Sequence, residues 1–171
     1  MRHGTARSRL DPHKNLVGFM VGSVQYAIDI WRVREIVQPL PLTPLPYTHV
    51  AIVGVADHRG EVVPVVDLRK QFGEPTEVGR KTKWILLNAA SRVVGIVVDS
   101  VTGPFGASDD QMRPPPTLGG GEARRGILAV TTHQNQMVFV VDPLLIEEII
   151  HPALEQVLQS VPPPRVLEPG R

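Results

Sequence analysis

Val55-Ala56-Asp57-His58-Arg59-Gly60-Glu61-Val62-Val63-Pro64-Val65-Val66-Asp67 returns 75 positions later as Val130-Thr131-Thr132-His133-Gln134-Asn135-Gln136-Met137-Val138-Phe139-Val140-Val141-Asp142. Val55, His58, Val63, Val65, Val66 and Asp67 recur unchanged in place. Both copies read as strand, turn, strand, because β-branched runs flank four residues of turn type. A weaker pair, Tyr26-Ala27-Ile28-Asp29-Ile30 and Val94-Gly95-Ile96-Val97-Val98, stands 68 apart. The chain thus runs hairpin A, hairpin B, hairpin A, hairpin B, which is a duplicated half. A half of this length buries too little apolar surface alone, so the two are expected to pack apolar faces together. Short antiparallel strands closed into small barrels also hide their edges. The expected fold is all-β: two pseudo-repeated small β-barrels sharing a hydrophobic core, with a C-terminal helix.

Outward from the repeat, an apolar run from Leu16 to Val21 meets a Gly22-Ser23 turn, after which Gln25 to Ile30 alternates, with Tyr26 and Ile28 on one face and Asp29 on the other. Glu35-Ile36-Val37 starts another short strand, in which Glu35 should point away from Ile36. Pro39, Pro41, Pro44 and Pro46 then impose an extended connector. Asp67 to Phe72 reads as one helical turn stopped by Gly73, and Ser108-Asp109-Asp110-Gln111 has capping-box spacing. A third hairpin spans Lys83 to Val98 and a fourth Gly126 to Val141. Asp142-Pro143 opens a helix carried by Leu144, Leu145, Ile149 and Leu154 and interrupted near Pro152. Residues 1–14 are expected to be a flexible leader and 162–171 a loose Pro-rich tail, leaving 15–161 as the domain.

Composition excludes several functions. There is no cysteine, hence no disulfide and no thiolate metal site or nucleophile; a reducing cytoplasm is the simplest home. Net charge is +1, which gives no pull toward nucleic acid or an anionic membrane. No apolar run approaches the ~18 residues of a membrane span, so no membrane insertion is expected. The six histidines stand at no ligand spacing, so no metal is expected, and no phosphate-binding loop or nucleophile motif occurs, so no cofactor is expected either. His58 and His133 read as turn residues in equivalent hairpins. Arg59 is the exception to a bland reading: a planar cation on a rigid turn suits a partner's carboxylate or carbonyls.

Four stretches resemble the CheW family of chemotaxis coupling proteins: Tyr26 to Ile30 with Val33-Arg34-Glu35-Ile36, Gly54 to Arg69, Arg92 to Asp99, and Gln111-Met112-Arg113-Pro114. The resemblance extends from about Leu16 to Ile149, and Gly54 to Arg69 is its specific part. It implies two five-stranded, SH3-like barrels around a shared core and a non-catalytic adaptor that couples chemoreceptors to a CheA-type histidine kinase. Its partners would be the cytoplasmic tip of a methyl-accepting receptor, docked between the barrels, and the kinase regulatory domain at the barrel ends. The location implied is the cytoplasm, at receptor arrays beneath the membrane. Val33, Glu35, Ile36, Arg59, Val94 and Val101 are the residues that the resemblance assigns to partner binding. Asp57 stands where the family usually has Asn, and Gly103-Pro104-Phe105-Gly106 where an apolar strand is usual. The alternative from another functional class is a regulatory β-barrel that binds a small molecule, which would need convergent polar groups in an apolar cavity.

Overall fold

The computed structural model describes residues 13–45, 49–89, 92–116 and 126–160. The leader up to residue 12, the Gly- and Arg-rich loop and the C-terminal tail lie outside the described residues. Among the described residues ten strands form: β1 His13–Val21, β2 Val24–Asp29, β3 Val33–Val37, β4 Ile52–His58, β5 Glu61–Asp67, β6 Lys83–Ala89, β7 Arg92–Val98, β8 Ser100–Ser108, β9 Ile127–His133 and β10 Gln136–Val141. Helix α1 is Leu68–Phe72 and α2 is Pro143–Ser160.

The strands make two five-stranded sheets, in the orders β8-β1-β2-β10-β9 and β3-β6-β7-β5-β4. Each sheet takes strands from both halves of the chain. The first half's β1 and β2 join the second half's β8, β9 and β10, while β6 and β7 cross over to join β3, β4 and β5. Each sheet is joined across the halves twice, by an antiparallel pairing, β1 with β8 or β3 with β6, and by a parallel one, β2 with β10 or β7 with β5.

Register shows how deep the duplication runs. Val65 pairs with Gly95 and Val140 with Ala27, so the 75-residue and 68-residue offsets meet in one rung. The bulges repeat too. The β3–β6 ladder skips Arg34, and the β8–β1 ladder skips Thr102, 68 positions on. The β4–β5 ladder skips Val53, and the β9–β10 ladder skips Leu128, 75 positions on. Thr43 bridges Val55 with two backbone bonds of 2.8 and 2.9 Å, and Arg113 bridges Val130 in the same way. Gly54 makes the first bridge possible: its φ is +146°, and a Cβ there would strike the Thr43 carbonyl.

Strand alternation divides the apolar residues into separate clusters. The largest lies between the sheets and includes Phe19, Val21 and Ile28 from one sheet, Ile85, Leu87, Val94 and Ile96 from the other, and Ile146, Ile149 and Ile150 of α2. Smaller clusters occupy the other face of each sheet: Leu16, Val138 and Val140 on one, and Val65, Trp84 and Leu86 among those on the other.

Several expectations need correction. β1 begins at His13, so His13 and Lys14 belong to the strand and not to the leader. Ile30 is not in β2; it opens a 3₁₀ turn capped by the Asp29 carboxylate, which accepts from the Trp31 N–H. Strand β8 lies where Gly103, Pro104 and Gly106 interrupt the strand pattern of the sequence; it is an edge strand, and an edge tolerates Pro. Gly126 precedes β9 with φ +69°. Helix α2 continues through Pro152, and its buried face is Leu145, Ile146, Ile149 and Ile150, whereas Leu144 is exposed.

Crossing between sheets requires a tie, and Arg69 supplies it. Its side chain is buried beside the N-cap residue Asp67, with Nε 2.9 Å from Oδ1 and Nη2 2.8 Å from Oδ2. Nη1 donates to the Glu77 carbonyl at 2.8 Å and approaches Asp99 Oδ1 at 3.3 Å. Asp99, in the β7–β8 crossover, also accepts from the Gly22 N–H of the β1–β2 turn at 2.6 Å. The hydrogen bond to Asp67 raises the Arg69 guanidinium above its ordinary range against the opposing effect of burial, so it stays charged throughout the neutral range. Replacing it strands a buried carboxylate. Arg69→Met should therefore lower unfolding free energy by about 3–5 kcal/mol in urea titration, and Arg69→Met with Asp67→Leu should recover part of the loss. A cost under about 1 kcal/mol for the single change would show that the latch is dispensable.

Candidate partner-binding surface

The six residues assigned from sequence do not share one environment. The bulge at Arg34 explains why. Val33 pairs with Leu87 and Ile36 with Ile85, both of which face the inter-sheet core, whereas Glu35 pairs with Leu86 on the other face. Glu35 and Ile36 thus point oppositely. Val33 is half-buried against the inter-sheet core, and Val101, its equivalent 68 positions on, packs there too. Ile36 sits on the face of Val33 but is 41% exposed. Val94 is 1% exposed, so it offers no surface to a partner and can only support the wall behind one.

Glu35 and Arg59 do come together. Strands β3 and β4 are the two edges of one sheet, yet Arg59 Nη2, on the β4–β5 turn, lies 3.0 Å from Glu35 Oε1. His58 Nε2 lies 3.1 Å from the other oxygen, Oε2. Beside them, Arg34 Nη1 is 3.0 Å from Glu61 Oε2, so a second ion pair joins β3 to β5. In sequence His58 is a bland turn residue, and nothing marks out Arg34 or Glu61. The missing signal was the curl of the sheet that brings its edges together, which no local pattern carries.

Turn chemistry presents Arg59 outward. Both central residues have positive φ, +55° at Arg59 and +81° at Gly60, the pattern of a type I′ hairpin turn. Asp57 Oδ1 accepts from the Gly60 N–H at 2.8 Å and stiffens it. The Arg59 side chain is 75% exposed but tethered, while Glu35 is 32% and His58 11% exposed. A fixed guanidinium with most of its donors facing solvent is suited to a carboxylate or to carbonyl oxygens.

The second half is an internal control. Its equivalent turn, Gln134-Asn135 between β9 and β10, also has positive φ at both residues, +49° and +61°. Gln134 replaces Arg59, and Gly103 stands at the position of Glu35. His133 instead stacks on Phe105 of β8, centroids 4.2 Å apart. One fold element is thus ionic in the first half and aromatic in the second.

The CheW-like domain model matches residues 15–150. The chain belongs to the CheW-like domain family. Among its relatives, the "Chemotaxis protein CheW" of Rhizobium meliloti (strain 1021) is 33% identical over 136 residues, covering 75% of this chain and 84% of that protein. "Protein FrzA" of Myxococcus xanthus is 35% identical over 120 residues, covering 70% and 74%. Among solved structures, the scaffolding protein TtCheW from Thermoanaerobacter tengcongensis superposes with a TM-score of 0.68 at 24% identity over 75% of this chain and 88% of that one, which supports the fold. Membership makes the chain a chemotaxis coupling adaptor, a non-catalytic scaffold. Among the described residues there is no group of three or more potential metal ligands, and no helix is long and apolar enough to cross a membrane.

Folding should be nearly indifferent to Arg59. The pair with Glu35 is exposed and contributes about 0–1 kcal/mol, and Asn fits positive φ better than Arg. Arg59→Asn should leave the thermal midpoint by circular dichroism within a few degrees of the parent. A destabilisation above ~2 kcal/mol would make Arg59 structural.

Proposed function

We propose that this adaptor couples a chemoreceptor's cytoplasmic tip to the regulatory domain of a CheA-type histidine kinase, beneath the membrane on its cytoplasmic side, with Arg59 at the partner-facing surface. The observation that carries the reading is a guanidinium fixed at one end by Glu35 and open to solvent at the other. Such an arrangement lowers the ordering cost of a partner contact without satisfying the cation internally. In this reading each sheet closes as a small SH3-like barrel, within one domain that includes the whole of β1. Support comes from the contacts across the sheet edges: Glu35 with His58 and Arg59 in one, Phe105 with His133 in the other. The receptor tip would use the apolar groove edge at Val33, Ile36 and Val101, with Val94 behind it.

The test is a co-sedimentation or pull-down assay with the cognate kinase and a receptor signalling fragment. Arg59→Ala should weaken the ternary complex by about 2 kcal/mol or more, roughly thirtyfold, with folding intact. Glu35→Ala should do the same more mildly. Arg59→Lys should restore only part, because a point charge cannot reproduce the planar fork. Parent-like binding of both partners by Arg59→Ala would remove Arg59 from the site.

A further inference from the structure

Helices α1 and α2 follow equivalent strands and start alike. Asp67 Oδ1 accepts from the Arg69 N–H, and 75 positions on Asp142 Oδ1 accepts from the Leu144 N–H. They end differently. Gly73 stops α1 in the left-handed region at φ +75°, and the Glu74 N–H turns back to the Arg69 carbonyl at 2.7 Å. Helix α2 runs on past the equivalent point. Its Ile149 and Ile150, at the positions of Glu74 and Pro75, are buried in the inter-sheet core.

Beside the end of the shorter helix lies a cavity of about 250 Å³. Val24, Tyr26, Phe72, Ile127 and Phe139 line it together with Glu74, and all six are half-buried. Tyr26 stacks on Phe72 at 4.7 Å, while Phe139 meets Tyr26 at 5.9 Å with a 42° tilt, so the rings form a corner and not a flat wall. Glu74 is placed from two sides. Its backbone is held by the α1 cap, and its carboxylate lies over Gly22 of the β1–β2 turn, where an added Cβ would strike Oε2. Among the described residues Glu74 makes no ion pair. Arg69, the buried cation of α1, is already engaged by Asp67, Asp99 and the Glu77 carbonyl.

We propose that this cavity receives an arginine side chain from the kinase regulatory domain. It is smaller than the roughly 300–1,000 Å³ of a small-molecule site, a size that suits one long side chain. The walls ask for an apolar stem, as the isoleucines at the equivalent positions of α2 do, and the unpaired Glu74 asks for a cation at the tip. Arginine meets both demands better than lysine: its flat guanidinium stacks on aromatic rings and offers two parallel donors to one carboxylate. Val33, Ile36 and Val101, the groove edge proposed for the receptor tip, contribute nothing to the lining, which leaves the kinase as the partner at this place. The identity of the partner rests on the proposed coupling role; the chemistry of the cavity does not.

The experiment has two arms, both on the full chain. In the first, N-acetyl-arginine amide and its uncharged isostere N-acetyl-citrulline amide are titrated by NMR. The arginine probe should shift the signals of Tyr26, Phe72, Ile127 and Phe139 and bind about fivefold or more tighter than the citrulline probe. Glu74→Gln should erase that difference. Equal binding of the two probes, or an undiminished preference in Glu74→Gln, would overturn the cation site. In the second arm, Glu74→Lys should weaken binding of the kinase regulatory domain about tenfold or more and leave binding of the receptor fragment at the parent's value. No loss for the kinase, or a loss for the receptor fragment instead, would overturn the assigned occupant. So would a tighter grip on the arginine probe after Arg124→Ala with Arg125→Ala, since the chain's own arginines would then be competing for the cavity. Should Glu74→Lys melt far below the parent, Glu74→Gln decides the second arm. Parent-like binding by Arg59→Ala would remove Arg59 from the partner surface and leave both arms standing.

Discussion

The parallel pairing of β5 with β7 and of β2 with β10 is the constraint on which the structure rests. Through it each half completes the other's sheet, so neither half has a sheet of its own to close. Every polypeptide crossing between the sheets then runs past the inter-sheet core, where Phe19, Ile28, Ile85, Ile96 and Ile146 are fully buried. Burial of this kind stabilises by about 25 cal/mol per Å² of apolar surface, far more than any surface ion pair contributes. The Arg69 latch belongs to the same constraint: it joins α1, the β7–β8 crossover and the β1–β2 turn where the halves interleave.

Because the fold is fixed by that core, the surfaces at the two turns have been free to differ. Backbone features are kept between the halves down to the skipped residues Arg34 and Thr102, Val53 and Leu128, and the bridges at Val55 and Val130. Side chains at the seams are not. Glu35, His58 and Arg59 make one seam ionic, while Phe105 and His133 make the other aromatic. A pseudo-symmetric body with unlike ends is a sensible shape for an adaptor, which must meet two different partners without exchanging them.

Much of this was legible in the residues. The 75-residue repeat announced two like hairpins, and the weaker 68-residue echo proved to be the same duplication, since both offsets meet in the rung shared by Val65 and Gly95. Asp67 and Asp142 could be read as caps from position alone, and each accepts from the N–H two residues on. What could not be read is what depends on distant pairing. The exchange of strands between sheets leaves no local trace. β8 hid behind Gly103 and Pro104, which only an edge strand tolerates. Buried Arg69 looked like an ordinary helix residue until Asp99 and Glu77 were brought beside it. At the site, family resemblance singled out Glu35 and Arg59, which the structure brings together, and it also named Val94, which is buried, because apolar strand residues look alike whichever face they cover.

The central claim is that the inter-sheet core sets folding and the Glu35–Arg59 pair sets partner binding. A double-mutant cycle on Glu35→Ala and Arg59→Ala, run once for unfolding and once for assembly with receptor fragment and kinase, tests it most directly. The account predicts a coupling energy of about 0–1 kcal/mol in unfolding and a larger one, about 1.5 kcal/mol or more, in assembly. Coupling that is larger in unfolding than in assembly, or absent from assembly, would contradict it.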